Sequence, residues 1–228
     1  MPGRSRSTAA LTLAVVLTLG TGAVDAISFL RLGGVFSSVI TGNLVLLGLA
    51  AGSANGELAA HIVVAGAAFV AGVLCGARLT GPAVPHHPIW PARVNVSLAA
   101  ELAVLTVFLG WWVAAGARPD GGGQLGLLAL AALAMGVQSA AVRAIGITGL
   151  STTYMTGSLT SALATVVNAG RLQWHSLVLI FSVVAGAAIS GLLLAIAPEA
   201  APALPAALVA IVLAVAVLAM PPLPAQNS

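Results

Sequence analysis

Charge is what this sequence has least of. Of its 228 residues, 6% are charged and 60% are hydrophobic, and lysine does not occur. A soluble domain carries about 25% charged residues, so these few charges cannot cover a water-exposed surface. Most side chains must face lipid or one another. The sequence therefore predicts an all-α, polytopic transmembrane helical bundle whose main partner is the lipid bilayer.

Cysteine and enzyme signatures are also scarce. The single cysteine, Cys75, excludes an intramolecular disulfide and a metal site of several cysteines. The adjacent pair His86 and His87 lacks companion ligands, so we predict no metal and no cofactor. The chain has no phosphate-binding loop, no GxSxG, no HExxH and no dinucleotide fingerprint, and we predict that it is not an enzyme. Its arginines are scattered rather than clustered, which argues against nucleic-acid binding.

Apolar runs divide the chain into eight segments in the order long, short, long, long, which then repeats. A bilayer crossing needs about 20 apolar residues, so the long segments predict spanning helices. They are residues 8–30, 58–79, 94–116, 125–145, 174–196 and a last run at 206–220. The short segments, 35–51 and 150–167, are rich in hydroxyl residues. A secretory signal is the alternative for the first segment, but its apolar character resumes directly after the supposed cleavage site.

The two halves of the chain, residues 1–117 and 118–228, resemble each other. Residues 34–44 (GVFSSVITGNL) align with residues 149–159 (GLSTTYMTGSL). Both copies place two hydroxyl residues, two apolar residues, then Thr-Gly and a small polar residue. The flanks agree as well: Gly22 and Ala26 match Gly136 and Ala140 with a one-residue shift, and residues 71–72 resemble residues 185–186. We therefore predict two homologous membrane repeats.

The arginines indicate how the halves are oriented. If all eight segments cross, four arginines lie on each side. If the two short segments make no net crossing and the N-terminus is inside, only Arg31 and Arg118 lie outside. Cytoplasmic loops carry the excess of Lys and Arg, so we predict three crossings per half, the inverted-repeat plan of many secondary transporters. The predicted location is the bacterial cytoplasmic (inner) membrane, with the N-terminus in the cytoplasm. A kinked full crossing by each short segment is the alternative.

Several runs resemble one known family. Residues 24–30 (VDAISFL), 33–36 (GGVF) and 41–44 (TGNL), with residues 152–157 (TTYMTG) of the second half, resemble the YoaK family of bacterial membrane proteins. The resemblance covers essentially the whole chain. It implies a polytopic membrane protein and, because the family is a domain of unknown function, implies no substrate, reaction or site residue.

Asp25 is the strongest single candidate for a functional residue. An ionisable group in a spanning segment is costly and usually faces a polar interior. Thr18, Thr21 and Ser28 share its helix face at helical spacing, which predicts one polar stripe. The functional interpretation is a proton or cation site. The alternative is a structural carboxylate that caps the break before Gly33.

The two Thr-Gly segments are the predicted substrate site. Broken helices direct free backbone groups and dipole ends at a substrate near the membrane midplane. The candidates in the first segment are Ser37, Ser38, Thr41 and Asn43. Those in the second are Thr152, Thr153, Thr156 and Ser158, with Gln138 on the preceding helix. The second copy has serine where the first has asparagine, so the two need not be equivalent. The alternative is helix–helix packing, because small and hydroxyl residues also pack membrane helices.

Two further patterns concern helix contacts. Glu101 and Arg143 are predicted to meet as a gate or ion pair, against the alternative of a static pair or an interfacial Glu101. Small residues at four-residue spacing, Ala68, Gly72 and Gly76, predict a packing face or the seam of a homodimer.

Together these features predict a small secondary transporter or permease for a small solute or ion, with Asp25 as coupling group. The alternative is a non-transporting membrane scaffold, partner subunit or lipid-interacting protein; a channel is a weaker third option.

Overall fold

A computed structural model of the protein describes residues 2–81, 90–145, 155–170 and 173–219. This part of the chain is helical and contains no strand. Its helices are α1 (Pro2–Arg31), α2 (Ile40–Gly52), α3 (Gly56–Thr80), α4 (Ala92–Ala114), α5 (Gly121–Ala144), α6 (Met155–Ala169), α7 (Trp174–Ile196) and α8 (Ala203–Ala219), with a 3-10 turn at Pro198–Ala200 before α8.

Six stretches of the described chain are long and apolar enough to cross a membrane. They are residues 8–31, 56–80, 92–114, 121–144, 174–196 and 198–218. The predicted all-α membrane bundle is confirmed at this level. At 13 residues, α2 is about 20 Å long, which is shorter than the roughly 30 Å hydrocarbon core.

Glycine allows two pairs of helices to touch backbone to backbone. Between α1 and α7, a Cβ on Gly22 would lie 2.1 Å from the carbonyl oxygen of Val183, and one on Gly186 would lie 1.9 Å from that of Leu19. No side chain fits at these distances, so the close crossing requires glycine.

The crossing between α3 and α5 has the same form. A Cβ on Gly72 would lie 2.2 Å from the carbonyl oxygen of Leu133, and one on Gly136 would lie 2.2 Å from that of Phe69. The predicted packing face of α3, which also includes buried Gly76, is therefore used inside the chain.

Contacts between helix ends define one end of the bundle, called the Arg31 end below. The Arg31 side chain donates to the carbonyl of Leu194 at 3.3 Å, so α1 and α7 finish together. The Gln124 amide donates to the Arg31 carbonyl at 2.8 Å, and Nε2 of His61 lies 3.1 Å from Oε1 of Gln124. The starts of α3 and α5 therefore lie at this end too. Trp112 near the end of α4 donates to the carbonyl of Pro198 before α8, at 2.9 Å.

The chain between α1 and α3 leaves the Arg31 end and returns to it. Gly33 and Gly34 have φ angles of +92° and +72°, a region that glycine enters without strain, and they reverse the chain after α1. Residues 32–39 then run back beside α1, and α2 returns to the Arg31 end, where Asn55 caps α3 by accepting a 3.0 Å bond from the Leu58 N–H. Residues 32–39 are called the Asp25 loop below.

Candidate functional site

The predicted polar stripe of α1 lies in the interior of the bundle. Thr18, Thr21, Asp25 and Ser28 are all buried. The hydroxyl of Thr18 donates to the carbonyl one turn earlier at 2.7 Å, and Thr21 does the same at 3.2 Å. Each threonine hydroxyl thus donates within α1, whereas the carboxylate of Asp25 accepts hydrogen bonds from another segment of the chain.

The carboxylate of Asp25 holds the Asp25 loop in place. Its Oδ1 accepts from the N–H of Ser37 at 2.9 Å, the hydroxyl of Ser37 at 2.8 Å and the N–H of Ser38 at 2.8 Å. Its Oδ2 accepts from the hydroxyl of Ser38 at 2.5 Å. Asp25 lies about 9 Å inside the Arg31 end, where non-helical backbone must be satisfied within the protein. These contacts are the capping role that the sequence left as an alternative, and they are made to Ser37 and Ser38 rather than at the Gly33 break.

Asn43 holds the same loop from the other side. Its Oδ1 accepts from the N–H of Phe36 at 3.0 Å, and its Nδ2 donates to the carbonyl of Phe36 at 2.6 Å. The Phe36 ring stacks on Phe29 of α1, with centroids 4.8 Å apart. One carboxylate and one amide thus hold the chain just before α2 against α1.

Gln138 joins this region from α5. It is fully buried, and its amide donates to the hydroxyl of Thr21 at 2.7 Å, one helical turn before Asp25. One connected part of the interior around α1 therefore contains five of the predicted site residues: Asp25, Ser37, Ser38, Asn43 and Gln138.

The two threonines that name the Thr-Gly motifs lie elsewhere. Thr41 and Thr156, which occupy equivalent positions in the two halves, are both exposed. Their neighbours two residues on, Asn43 and Ser158, are both buried. A helix turns by about 100° per residue, so the second residue after each threonine faces the opposite side. Thr41 and Thr156 therefore face away from Asn43 and Ser158, and their place in the predicted site stays a prediction; Thr152 and Thr153 lie outside the described residues.

Glu101 and Arg143 do not form the predicted pair. Glu101 is fully buried in α4, and neither of its carboxyl oxygens has a hydrogen-bond partner among the described residues. Arg143 is exposed near the end of α5. The predicted pair rests on a shared side of the membrane alone, and this does not fix the direction in which either side chain points.

The contact between His61 and Gln124 was not expected from the sequence. His61 is only 4% exposed. Its Nδ1 lies 2.8 Å from the carbonyl of Glu57, and its ring lies against Gly33. One feature of the sequence could have indicated this contact: His61 lies about one turn inside the start of a spanning helix.

No group of three or more His, Cys, Asp or Glu side chains that could hold a metal ion occurs among residues 2–81, 90–145, 155–170 and 173–219. The polar interior around α1 consists of one carboxylate, amides and hydroxyls. Such groups can bind a solute or an ion by hydrogen bonds and oxygen contacts.

The comparisons with known proteins bear on the whole bundle. Residues 13–215 match the family described as "Protein of unknown function (DUF1275)". The chain belongs to this family. A curated relative in it is the UPF0700 transmembrane protein YoaK of Bacillus subtilis (strain 168), 36% identical over 163 residues, which cover 71% of this chain and 68% of the relative. The resemblance to the YoaK family is confirmed, and this DUF1275 chain is a multi-pass membrane protein. No solved structure matches it.

Proposed function

We propose that the protein is a small secondary transporter or permease of the bacterial cytoplasmic membrane, with its N-terminus in the cytoplasm. The observation that carries the proposal is the position of the start of α2. This helix begins beside Asp25, about 9 Å back along α1 from the Arg31 end, and not level with that end. In secondary transporters, helices broken at membrane depth form the substrate and ion sites.

The connectivity of the halves supports the inverted-repeat plan on which such transporters are built. Exchanging α1–α4 with α5–α8 turns the α1–α7 contact into the α3–α5 contact, α1–α8 into α4–α5, and α2–α3 into α6–α7, and all of these contacts occur. The glycine crossings also correspond, because Gly22 and Gly136 are equivalent in the alignment of the halves.

The helix directions agree with an inversion of the second half. Gln124, near the start of α5, bonds the carbonyl of Arg31 at the end of α1, so the equivalent helices α1 and α5 run in opposite directions. The end of α5 and the start of α7 then lie at the end of the bundle opposite Arg31. On this plan α6, between them, is the inverted counterpart of α2.

Transport is tested with purified protein in liposomes. Currents on a solid-supported membrane are recorded while amino acids, carboxylates, polyols and inorganic ions are applied in turn. We expect a current for at least one class, reduced at least about tenfold in Gln138→Leu, which removes the buried amide beside Thr21. The matched control is Asn168→Leu, the same kind of change at an exposed position of α6, and it should leave the current unchanged.

Silence of the folded wild-type protein across the whole panel would contradict electrogenic transport of these solutes and favour the alternative, a membrane scaffold, partner subunit or lipid-interacting protein. One observation fits that alternative: the polar groups of Asp25, Ser37, Ser38 and Asn43 bond within this one segment of the chain, as packing residues would. A scaffold would give no solute-dependent current in any variant.

A further inference from the structure

One carboxyl group in the bundle has no partner among the described residues. Glu101 is 0% exposed, and neither Oε1 nor Oε2 is hydrogen-bonded within that part of the chain. Ser97, one turn earlier on the same face of α4, is also 0% exposed, and its hydroxyl likewise has no partner there. A charge buried without a partner is strongly disfavoured in protein interiors and in bilayers.

No charged group on the described helices around Glu101 compensates it. Helix α4 packs against α5, α8 and α3. Helix α8 has no titratable residue between residues 203 and 219, and the only charged residue of α5 is Arg143, which is exposed. The titratable residues of α3 are Glu57, His61, Cys75 and Arg78, and none of them bonds Glu101. Arg93, on α4 itself, is exposed two turns away.

The depth of Glu101 makes this lack of a partner consequential. It is the tenth of the 23 residues of α4, about 14 Å from the start of the helix and about 20 Å from its end. It therefore lies in the middle part of a spanning helix, far from the interfaces at which a long acidic side chain reaches water.

We propose that Glu101 is a proton-binding site at the centre of the bundle. The chemical step is a simple one: a proton from water forms an O–H bond to a carboxylate oxygen, and the same bond breaks when the proton returns to water. The buried arrangement favours the neutral acid, whereas release requires a conformation that admits water to α4. Protonation and conformation are thereby linked.

Proton binding at Glu101 does not depend on the proposed function. Only the further statement that Glu101 couples protons to transport rests on it. It moves that role from Asp25, whose oxygens accept four hydrogen bonds from the Asp25 loop, to the carboxyl group that is unbonded. A metal cation fits less well, because hard cations take six or more oxygen ligands and Ser97 is the nearest polar residue along this face.

The test is infrared spectroscopy of the full chain in lipid, through a pH titration. The chain has three glutamates, and Glu57 and Glu199 are exposed, so a protonated glutamate at neutral pH reports Glu101. We expect a carboxylic-acid band that shifts when the protein is made with ¹³C-glutamate, disappears in Glu101→Gln and persists in the matched control Glu57→Gln. The band should not change when choline chloride is replaced by sodium chloride.

Two results would overturn the proposal. The first is the absence of any glutamate-dependent acid band in the wild-type protein, which requires no variant to fold. The second is a band that appears or vanishes with sodium at constant pH, which would mean a cation site. The two experiments fail independently. Either infrared result would leave transport to be decided by the liposome currents, and an absence of currents would not change the infrared evidence for proton binding.

Discussion

A single methyl group added to Gly72 tests how α3 and α5 are held together. The new Cβ would lie 2.2 Å from the carbonyl oxygen of Leu133 and 3.0 Å from Cα of Gly136. The helices would have to move apart where they cross, because side-chain carbons do not approach a carbonyl oxygen so closely. Overpacking of this kind costs about 1–3 kcal/mol, whereas alanine recovers up to about 1 kcal/mol of helix propensity over glycine.

We therefore expect Gly72→Ala to lower the free energy of unfolding by about 1–2 kcal/mol. For a chain of this size that corresponds to a Tm lower by about 2–8 °C, measured in detergent from the fluorescence of the four tryptophans. The matched control is Gly66→Ala in the same helix, where an added Cβ meets nothing within 4 Å; its Tm should stay the same or rise.

The equivalent crossing gives a second measurement. A Cβ on Gly186 would lie 1.9 Å from the carbonyl oxygen of Leu19, so Gly186→Ala should be destabilised at least as much as Gly72→Ala. Equal Tm values for Gly72→Ala and Gly66→Ala would refute the claim that these glycines are required by backbone contact.

Three further predictions concern the Asp25 loop and the direction of the chain. Asp25→Asn removes the charge that accepts four hydrogen bonds and should lower the free energy of unfolding by about 2–4 kcal/mol. The control Asp120→Asn, at an exposed position, should leave it unchanged. Thermal unfolding of the two variants makes the comparison. Asn43→Asp replaces the N–H donor to a backbone carbonyl with oxygen and should cost about 1–3 kcal/mol by the same measurement; an unchanged Tm would contradict the double bond to the loop. In a cysteine-free background, Ser53→Cys and Gly170→Cys should react with an impermeant maleimide from opposite sides of the membrane. Labelling of both variants from outside intact cells would contradict the opposite orientation of α2 and α6.

Much of the fold follows from local patterns in the sequence. The long apolar runs predicted the spanning helices, because a bilayer crossing has a fixed length. The spacing of Thr18, Thr21, Asp25 and Ser28 predicted a buried polar face, since residues three or four apart share one side of a helix. The match of Gly22 with Gly136 identified positions that turned out to be the two backbone crossings.

What the sequence could not supply is the register between segments that are distant along the chain. Spacing places Asp25 inside the bundle but does not say that residues 32–39 turn back far enough for Ser37 and Ser38 to reach it. The contact between His61 and Gln124 depends on α3 and α5 lying parallel, and the lack of a partner for Glu101 within the described helices depends on the rotation of α4. Neither parallel packing nor rotation is encoded in local periodicity.

The parallel packing of α1 with α7, and of α3 with α5, has a consequence for how the chain enters the membrane. Each glycine crossing joins a helix made early in synthesis to one made later. The contact at Gly22 can form only after α7 has been synthesised, and the contact at Gly72 only after α5. Until then the glycine faces of α1 and α3 lack the partner helix that they contact in the finished bundle. Neither half can complete its contacts alone, and the last crossing, between α1 and α7, closes only after most of the chain has been synthesised.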